Sequence, residues 1–298
     1  MARFGPVVTA MITPMREDGG VDFVEARRLA SWLADHGSTG LVLAGTTGES
    51  PTLTDAEKIK LFEEIVPAVR GRAKVIANTG GNDTHHSVEL SKRAQACGVD
   101  AVLAVGPYYN KPPQAGLIEH FSAIADAVDI PVMIYNIPGR TAVNILPETL
   151  ATLSDHPRIA GVKESSGDLM QIGELITKVP KDFDVYSGDD HLTLPIMAIG
   201  GCGIVSVASH VAGDEIRAMC DSYADGDVAR AADVHQALLP LIKALFAVTS
   251  PIPVKAAMQR FGFETGRCRP PLCALTKDQE RALDRALEPW LTRMRTAV

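Results

Sequence analysis

The side chains best suited to chemistry in this chain follow short apolar runs. Lys163 closes Ile159-Ala160-Gly161-Val162, so its ammonium is expected at the mouth of the sheet that this run joins. Partial desolvation there lowers an amine's pKa and makes it nucleophilic toward a carbonyl. The alternative is a structural lysine paired with Glu164 or another carboxylate. Gly45-Thr46-Thr47-Gly48-Glu49-Ser50 offers backbone N–H groups and hydroxyls at another run's end. Such a nest binds a carboxylate or phosphate, although an ordinary glycine-rich turn has the same composition. It is no Walker loop, since no Gly-Lys-Ser/Thr follows, and no dinucleotide glycine fingerprint occurs. Tyr109 and Tyr135 are candidates for moving protons, or for amphipathic packing. Arg140 is a candidate bidentate clamp for a carboxylate, or a solvated loop arginine. The adjacent His85 and His86 diverge on a helix, which argues against a shared metal.

These residues need a scaffold. Eight apolar, β-branched runs recur at residues 7–12, 40–44, 74–78, 101–105, 131–135, 159–163, 184–187 and 204–207. Nearly continuous apolar strands suggest burial on both faces, as in parallel sheets. Helical patterns lie between them at 22–36, 55–69, 84–97, 114–128, 147–154, 168–178 and 189–199, with Thr54 and Glu57 forming a capping box. Eight strands alternating with helices predict an α/β fold of the (β/α)8 barrel type, with a doubly wound open sheet as the alternative. After the eighth run only helical patterns remain, at 211–224, 227–248, 253–261 and 277–297. The barrel is therefore expected over residues 1–225 and a C-terminal helical segment over 226–298. Barrel active sites sit where strands end. Here those points carry the polar stretches at 45–50, 78–82, 107–110, 135–141, 163–166 and 187–190, while the strand starts are bland.

A net charge of -7, no Lys/Arg run and 5% aromatic residues argue against nucleic acid or anionic membrane as partners. Residues 192–209 lack ionisable side chains but contain Pro195, Gly200, Gly201 and Gly203, which suits a buried helix, turn and strand better than a membrane span. The N-terminus lacks the apolar core of a signal peptide. Five cysteines without a C-x-x-C pair fit free thiols in a reducing compartment, hence a cytoplasmic expectation.

Taken together, four motifs in order resemble the pyruvate-dependent class I aldolase family of dihydrodipicolinate synthase and N-acetylneuraminate lyase. They are Gly45-Thr46-Thr47-Gly48-Glu49-Ser50, Pro107-Tyr108-Tyr109-Asn110-Lys111-Pro112, Tyr135-Asn136-Ile137-Pro138 and Val162-Lys163-Glu164-Ser165. The resemblance covers the whole chain. Arg140-Thr141 looks like the synthase branch, because sialic acid lyases usually lack that arginine. Ala142 departs from the pattern, which usually has glycine there.

The resemblance implies condensation of pyruvate with L-aspartate 4-semialdehyde in lysine and diaminopimelate synthesis. It implies that Lys163 forms the imine with pyruvate, that Thr46 and Thr47 hold the pyruvate carboxylate, and that Tyr135 moves protons. Thr46 would link Tyr135 to Tyr109, reaching in from a neighbouring subunit of a homotetramer built as a dimer of dimers. Arg140 would bind the semialdehyde's carboxylate, and the carbonyls of Gly188 and Val205 would line the pocket. No metal or organic cofactor is implied, since the lysine imine is itself the electron sink. Lysine-sensitive members bind L-lysine in an interface cleft. Its matching positions here are Ser50, Asn82 and Tyr108, which keep their polar character, and Asp55, Lys58 and His86, which replace two histidines and a glutamate. Weak or absent lysine inhibition is therefore expected. The rival functions are a sibling aldolase acting on a sugar acid, a metal-dependent aldolase, and a barrel that only binds a metabolite.

Overall fold

The computed structural model describes residues 2–296. Eight parallel strands form a closed barrel: β1 (Val7–Ala10), β2 (Gly40–Leu43), β3 (Lys74–Asn78), β4 (Ala101–Val105), β5 (Val132–Asn136), β6 (Ile159–Glu164), β7 (Asp184–Ser187) and β8 (Gly203–Ser206). Pairing of Val8 with Val205 joins β8 to β1 and rules out the open-sheet alternative. The helices are α1 (Phe23–Asp35), α2 (Asp55–Ala68), α3 (Thr84–Ala96), α4 (Gln114–Asp126), α5 (Pro138–Thr141), α6 (Pro147–Ser154), α7 (Leu169–Lys178), α8 (Thr193–Ala198), α9 (Ser209–Ala224), α10 (Val228–Leu245), α11 (Ile252–Arg260) and α12 (Lys277–Thr296).

Local chemistry starts these helices where the patterning expects. The side chains of Asp22, Asp83, Asp168 and Asp227 accept from the first-turn amides of α1, α3, α7 and α10. Thr54 and Glu57 complete the capping box of α2. Each satisfies N–H groups that a helix end leaves unpaired, worth about 1 kcal/mol apiece.

Strand alternation then separates two apolar cores. Val8, Val42, Ile76, Leu103, Met133 and Val205 belong to the cluster inside the barrel. Their strand neighbours Val7, Leu41, Leu43, Val75, Val102 and Ile134 pack outward against the helices. Tyr186 fills the lower barrel: its hydroxyl accepts from the Phe4 amide at 3.2 Å and donates to the Gly5 carbonyl at 3.0 Å. Although Tyr186 lies near the end of its strand, its hydroxyl serves the opposite rim. Among the described residues no helix is long and apolar enough to cross a membrane.

Two elements differ from the patterning. The expected helix at 189–199 is a 3-10 turn at Asp190–Leu192 followed by the short α8, because the Asp190 carboxylate is spent on β8. Helix α5 has too few residues to show a periodicity; its one local signal is Pro138 at the first position. At the other end of the chain, α10 packs on α9, and α11 and α12 pack on α10.

Candidate active site

Alternation along β6 decides what Lys163 does. Val162 belongs to the outer core, so Gly161 and Lys163 face the lumen. In register, Lys163 lies beside Tyr135 of β5, and its ammonium stands 4.2 Å from the centroid of the Tyr135 ring. Lys163 is 5% exposed and, among the described residues, has no carboxylate within ion-pair distance. Glu164 points the other way. Its carboxylate accepts from Asn136 Nδ2 at 3.0 Å and from the Ser166 amide at 2.6 Å. Burial pushes the Glu164 carboxyl above its ordinary range, and those hydrogen bonds oppose the rise. The structural pairing of Lys163 with Glu164 therefore does not form. An ammonium over a ring face is attracted by the ring's quadrupole.

Two carboxylates feel Lys163 without ion-pairing to it. Burial raises the carboxyls of Asp189 and Asp190 above their usual value, and the Lys163 charge opposes this in both. Asp190 accepts from Ser206 Oγ and from the amides of Val207, at 3.0 Å, and Ala208, at 3.2 Å, so it ties β7 to the end of β8. The polar stretch at 187–190 was the only sequence signal for this brace, and it does not separate the two aspartates. Gly188 is crowded by two side chains: a Cβ there would lie 1.9 Å from Ser165 Oγ and 2.9 Å from Lys163 Cε. Val205 is fully buried in the barrel lumen.

The threonine turn rises from β2. Its bonds run from the Glu49 amide to the Thr46 carbonyl and from the Ser50 amide to the Gly45 carbonyl, both 3.1 Å. Thr13 Oγ1 adds a bond to the Gly48 carbonyl at 2.8 Å. Thr46, Tyr108, Ile137, Arg140 and Thr141 line one cavity of about 220 Å³. Thr47 is buried beside it in the chain. Arg140 reaches that cavity because α5 carries it there, and its Nη2 donates to the Ser250 carbonyl at 3.3 Å. Ala142 ends α5 at φ 58, a left-handed conformation that explains why glycine suits this position. Alanine holds it at a cost of about 1 kcal/mol.

Tyr109 is not brought to Lys163 within the chain. It is 89% exposed on a turn at φ 74. Of the expected lysine-cleft positions, Ser50 and Tyr108 line the cavity with Thr46. His86 Nε2 lies 2.9 Å from Asp55 Oδ2, and Arg93 lies 3.7 Å from the same oxygen. Burial lowers the Lys58 ammonium's pKa, and Asp55 opposes this. The Asn82 carbonyl accepts from Asn110 Nδ2 at 2.8 Å. His86 thus meets a carboxylate rather than His85. Among the described residues no group of three or more His, Cys, Asp or Glu side chains could hold a metal ion.

Known proteins are similar to this chain over nearly its whole length. The 4-hydroxy-tetrahydrodipicolinate synthase of Bacillus subtilis is 52% identical over 281 residues, covering 94% of this chain and 97% of that protein. The synthase of Moorella thermoacetica is 51% identical over 286 residues, covering 96% and 98%. The crystal structure of a dihydrodipicolinate synthase from Bacillus anthracis superposes with a TM-score of 0.94 at 46% identity, over 97% of this chain and 99% of that one. The enzyme from Cyanidioschyzon merolae, solved with lysine bound, gives 0.95 at 44% identity, over 97% and 98%. The model of the Dihydrodipicolinate synthetase family matches residues 3–289, and this chain, with its closed barrel and its lumenal lysine, belongs to that family.

Proposed function

We propose that this chain is a 4-hydroxy-tetrahydrodipicolinate synthase, condensing pyruvate with L-aspartate 4-semialdehyde in lysine and diaminopimelate synthesis. The observation that carries the chemistry is Lys163: buried at the C-terminal end of its strand, free of any carboxylate partner among the described residues, and set against the Tyr135 ring. Its neutral amine adds to the C2 carbonyl of pyruvate, and loss of water leaves a protonated imine. The positive nitrogen draws electrons from C3, which gives up a proton to become an enamine. The enamine carbon attacks the aldehyde carbon of the second substrate, whose oxygen takes up a proton. The second substrate's amino group then adds to the imine carbon and releases Lys163.

Tyr135, whose ring lies against the Lys163 ammonium, passes the protons of imine formation and release. Thr46 and Thr47 receive the pyruvate carboxylate, and Arg140, on the same cavity as Thr46, receives that of the semialdehyde. The Gly188 and Val205 carbonyls complete the pocket wall. Tyr109, exposed on its own chain, completes the relay in a neighbouring subunit, which requires at least a dimer; the resemblance extends this to a homotetramer, which sedimentation at assay concentration measures. The five free thiols suit a cytoplasmic enzyme.

The decisive experiment is borohydride reduction in the presence of pyruvate. One pyruvyl adduct is expected, on Lys163, and none in a folded Lys163→Ala variant. An adduct on any other lysine, or activity surviving in Lys163→Ala, overturns the reading. Comparing aspartate semialdehyde with N-acetylmannosamine as the second substrate separates it from a sugar-acid aldolase.

A further inference from the structure

Helix α11 lies outside the barrel, yet it reaches the threonine turn through a buried charge pair. Lys255 Nζ sits 2.7 Å from Glu49 Oε1, and both side chains are 2% exposed. The same ammonium donates to the Arg267 carbonyl at 3.2 Å. The other Glu49 oxygen accepts from the Arg269 amide at 2.8 Å. Arg269 is in turn held by the Glu57 carboxylate, the capping group of α2, and by the Gly19 carbonyl at 2.9 Å. Glu49 occupies the left-handed region at φ 61, ψ 36, where a non-glycine residue persists only if its surroundings hold it. Its amide closes the turn onto the Thr46 carbonyl at 3.1 Å. Immediately before α11, the Ser250 carbonyl accepts from Arg140. One segment from beyond the barrel therefore touches both elements that receive substrate carboxylates.

A buried ion pair is weak evidence for stability, because desolvation offsets the attraction and apolar replacements of similar size are often as stable. What a fully desolvated pair does supply is geometry. We propose that Lys255 and Glu49 are positioning residues: α11, through this pair, holds the Thr46–Thr47 turn in the shape that receives the pyruvate carboxylate. The C-terminal helices then act in catalysis without touching substrate. This rests on the synthase reading above.

The test uses the full-length enzyme with Glu49→Gln and Lys255→Met together. Gln keeps an acceptor for the Arg269 amide, and Met keeps the volume of Lys255, so both charges leave at once and neither is stranded. The readouts are thermal melting, the pyruvate concentration for half-maximal borohydride trapping on Lys163, and KM for the semialdehyde. The double variant is expected to melt close to wild type but to need about tenfold more pyruvate, as a sub-ångström misplacement of a binding element would cause. The semialdehyde KM should move far less, because the contact of Arg140 with Ser250 is to backbone. Trapping at the wild-type pyruvate concentration in the folded double variant overturns the proposal. If the double variant does not fold, Lys255→Arg is measured instead: raised half-saturation at a native melting point supports positioning, and unchanged half-saturation refutes it. Failure of the wild type itself to trap pyruvate would instead refute the synthase reading.

Discussion

Gly188→Ala tests whether the placement of Lys163, and not only its presence, controls imine formation. The added methyl would meet Ser165 Oγ at 1.9 Å, Lys163 Cε at 2.9 Å and Lys163 Cγ at 3.1 Å. The serine hydroxyl can rotate away at little cost. The lysine stem is packed in the lumen, and carbon atoms settle about 3.5–4.0 Å apart, so Cε must retreat by at least roughly 0.5 Å. Overpacking of this kind costs about 1–3 kcal/mol of stability. A shift of roughly 1 Å in a reacting group can cost on the order of 100-fold in rate, so a retreat of this size should slow imine formation about tenfold or more. The assay is the rate of borohydride-trapped pyruvyl adduct on Lys163, read beside the melting temperature. Ser165→Ala, which keeps Gly188 and removes only the hydroxyl, should not reproduce the slowing. Wild-type trapping kinetics in folded Gly188→Ala would show that Lys163 tolerates displacement and would refute the argument.

Arg140→Ala should spare pyruvate trapping and lower kcat/KM for aspartate semialdehyde by about ten- to a hundredfold, the worth of a charge-assisted carboxylate contact at roughly 1.5–3 kcal/mol. Loss of pyruvate binding would place Arg140 on the wrong substrate. Acid should destabilise the fold through two buried histidines. Burial lowers His120 and His210 from 6.5 to about 4, so the folded state binds fewer protons than the unfolded chain. Stability is complete well above pH 6.5 and falls by up to roughly 1.4 kcal/mol per pH unit per histidine down to about pH 4. His120→Phe should shrink that slope in urea melts at several pH values, and an unchanged slope would refute the account. L-Lysine titrated to millimolar concentration should barely inhibit, because the nearby Asp55 carboxylate already faces His86 and Arg93. Strong submillimolar inhibition would show that the altered cleft still works.

Much of this was legible in local pattern. The eight apolar runs, the aspartate caps and the Thr54–Glu57 box depend on residues a few positions apart, so periodicity and hydrogen-bonding chemistry specify them without the rest of the chain. The parity of β6 is equally local: once Val162 belongs to the outer face, Lys163 must enter the lumen. Barrel closure is not local, since an open sheet needs the same run of strands and only the pairing of β1 with β8 distinguishes the two. Nor could composition tell that Glu164 would turn to Asn136 and leave Lys163 unpaired, or that Asp190 would serve β8. The partnership of Glu49 with Lys255 spans 206 positions and was invisible to any window of sequence. Short-range order follows from side-chain spacing on a strand or helix. Which distant charges meet is decided by desolvation and packing, and these exist only once the barrel has closed.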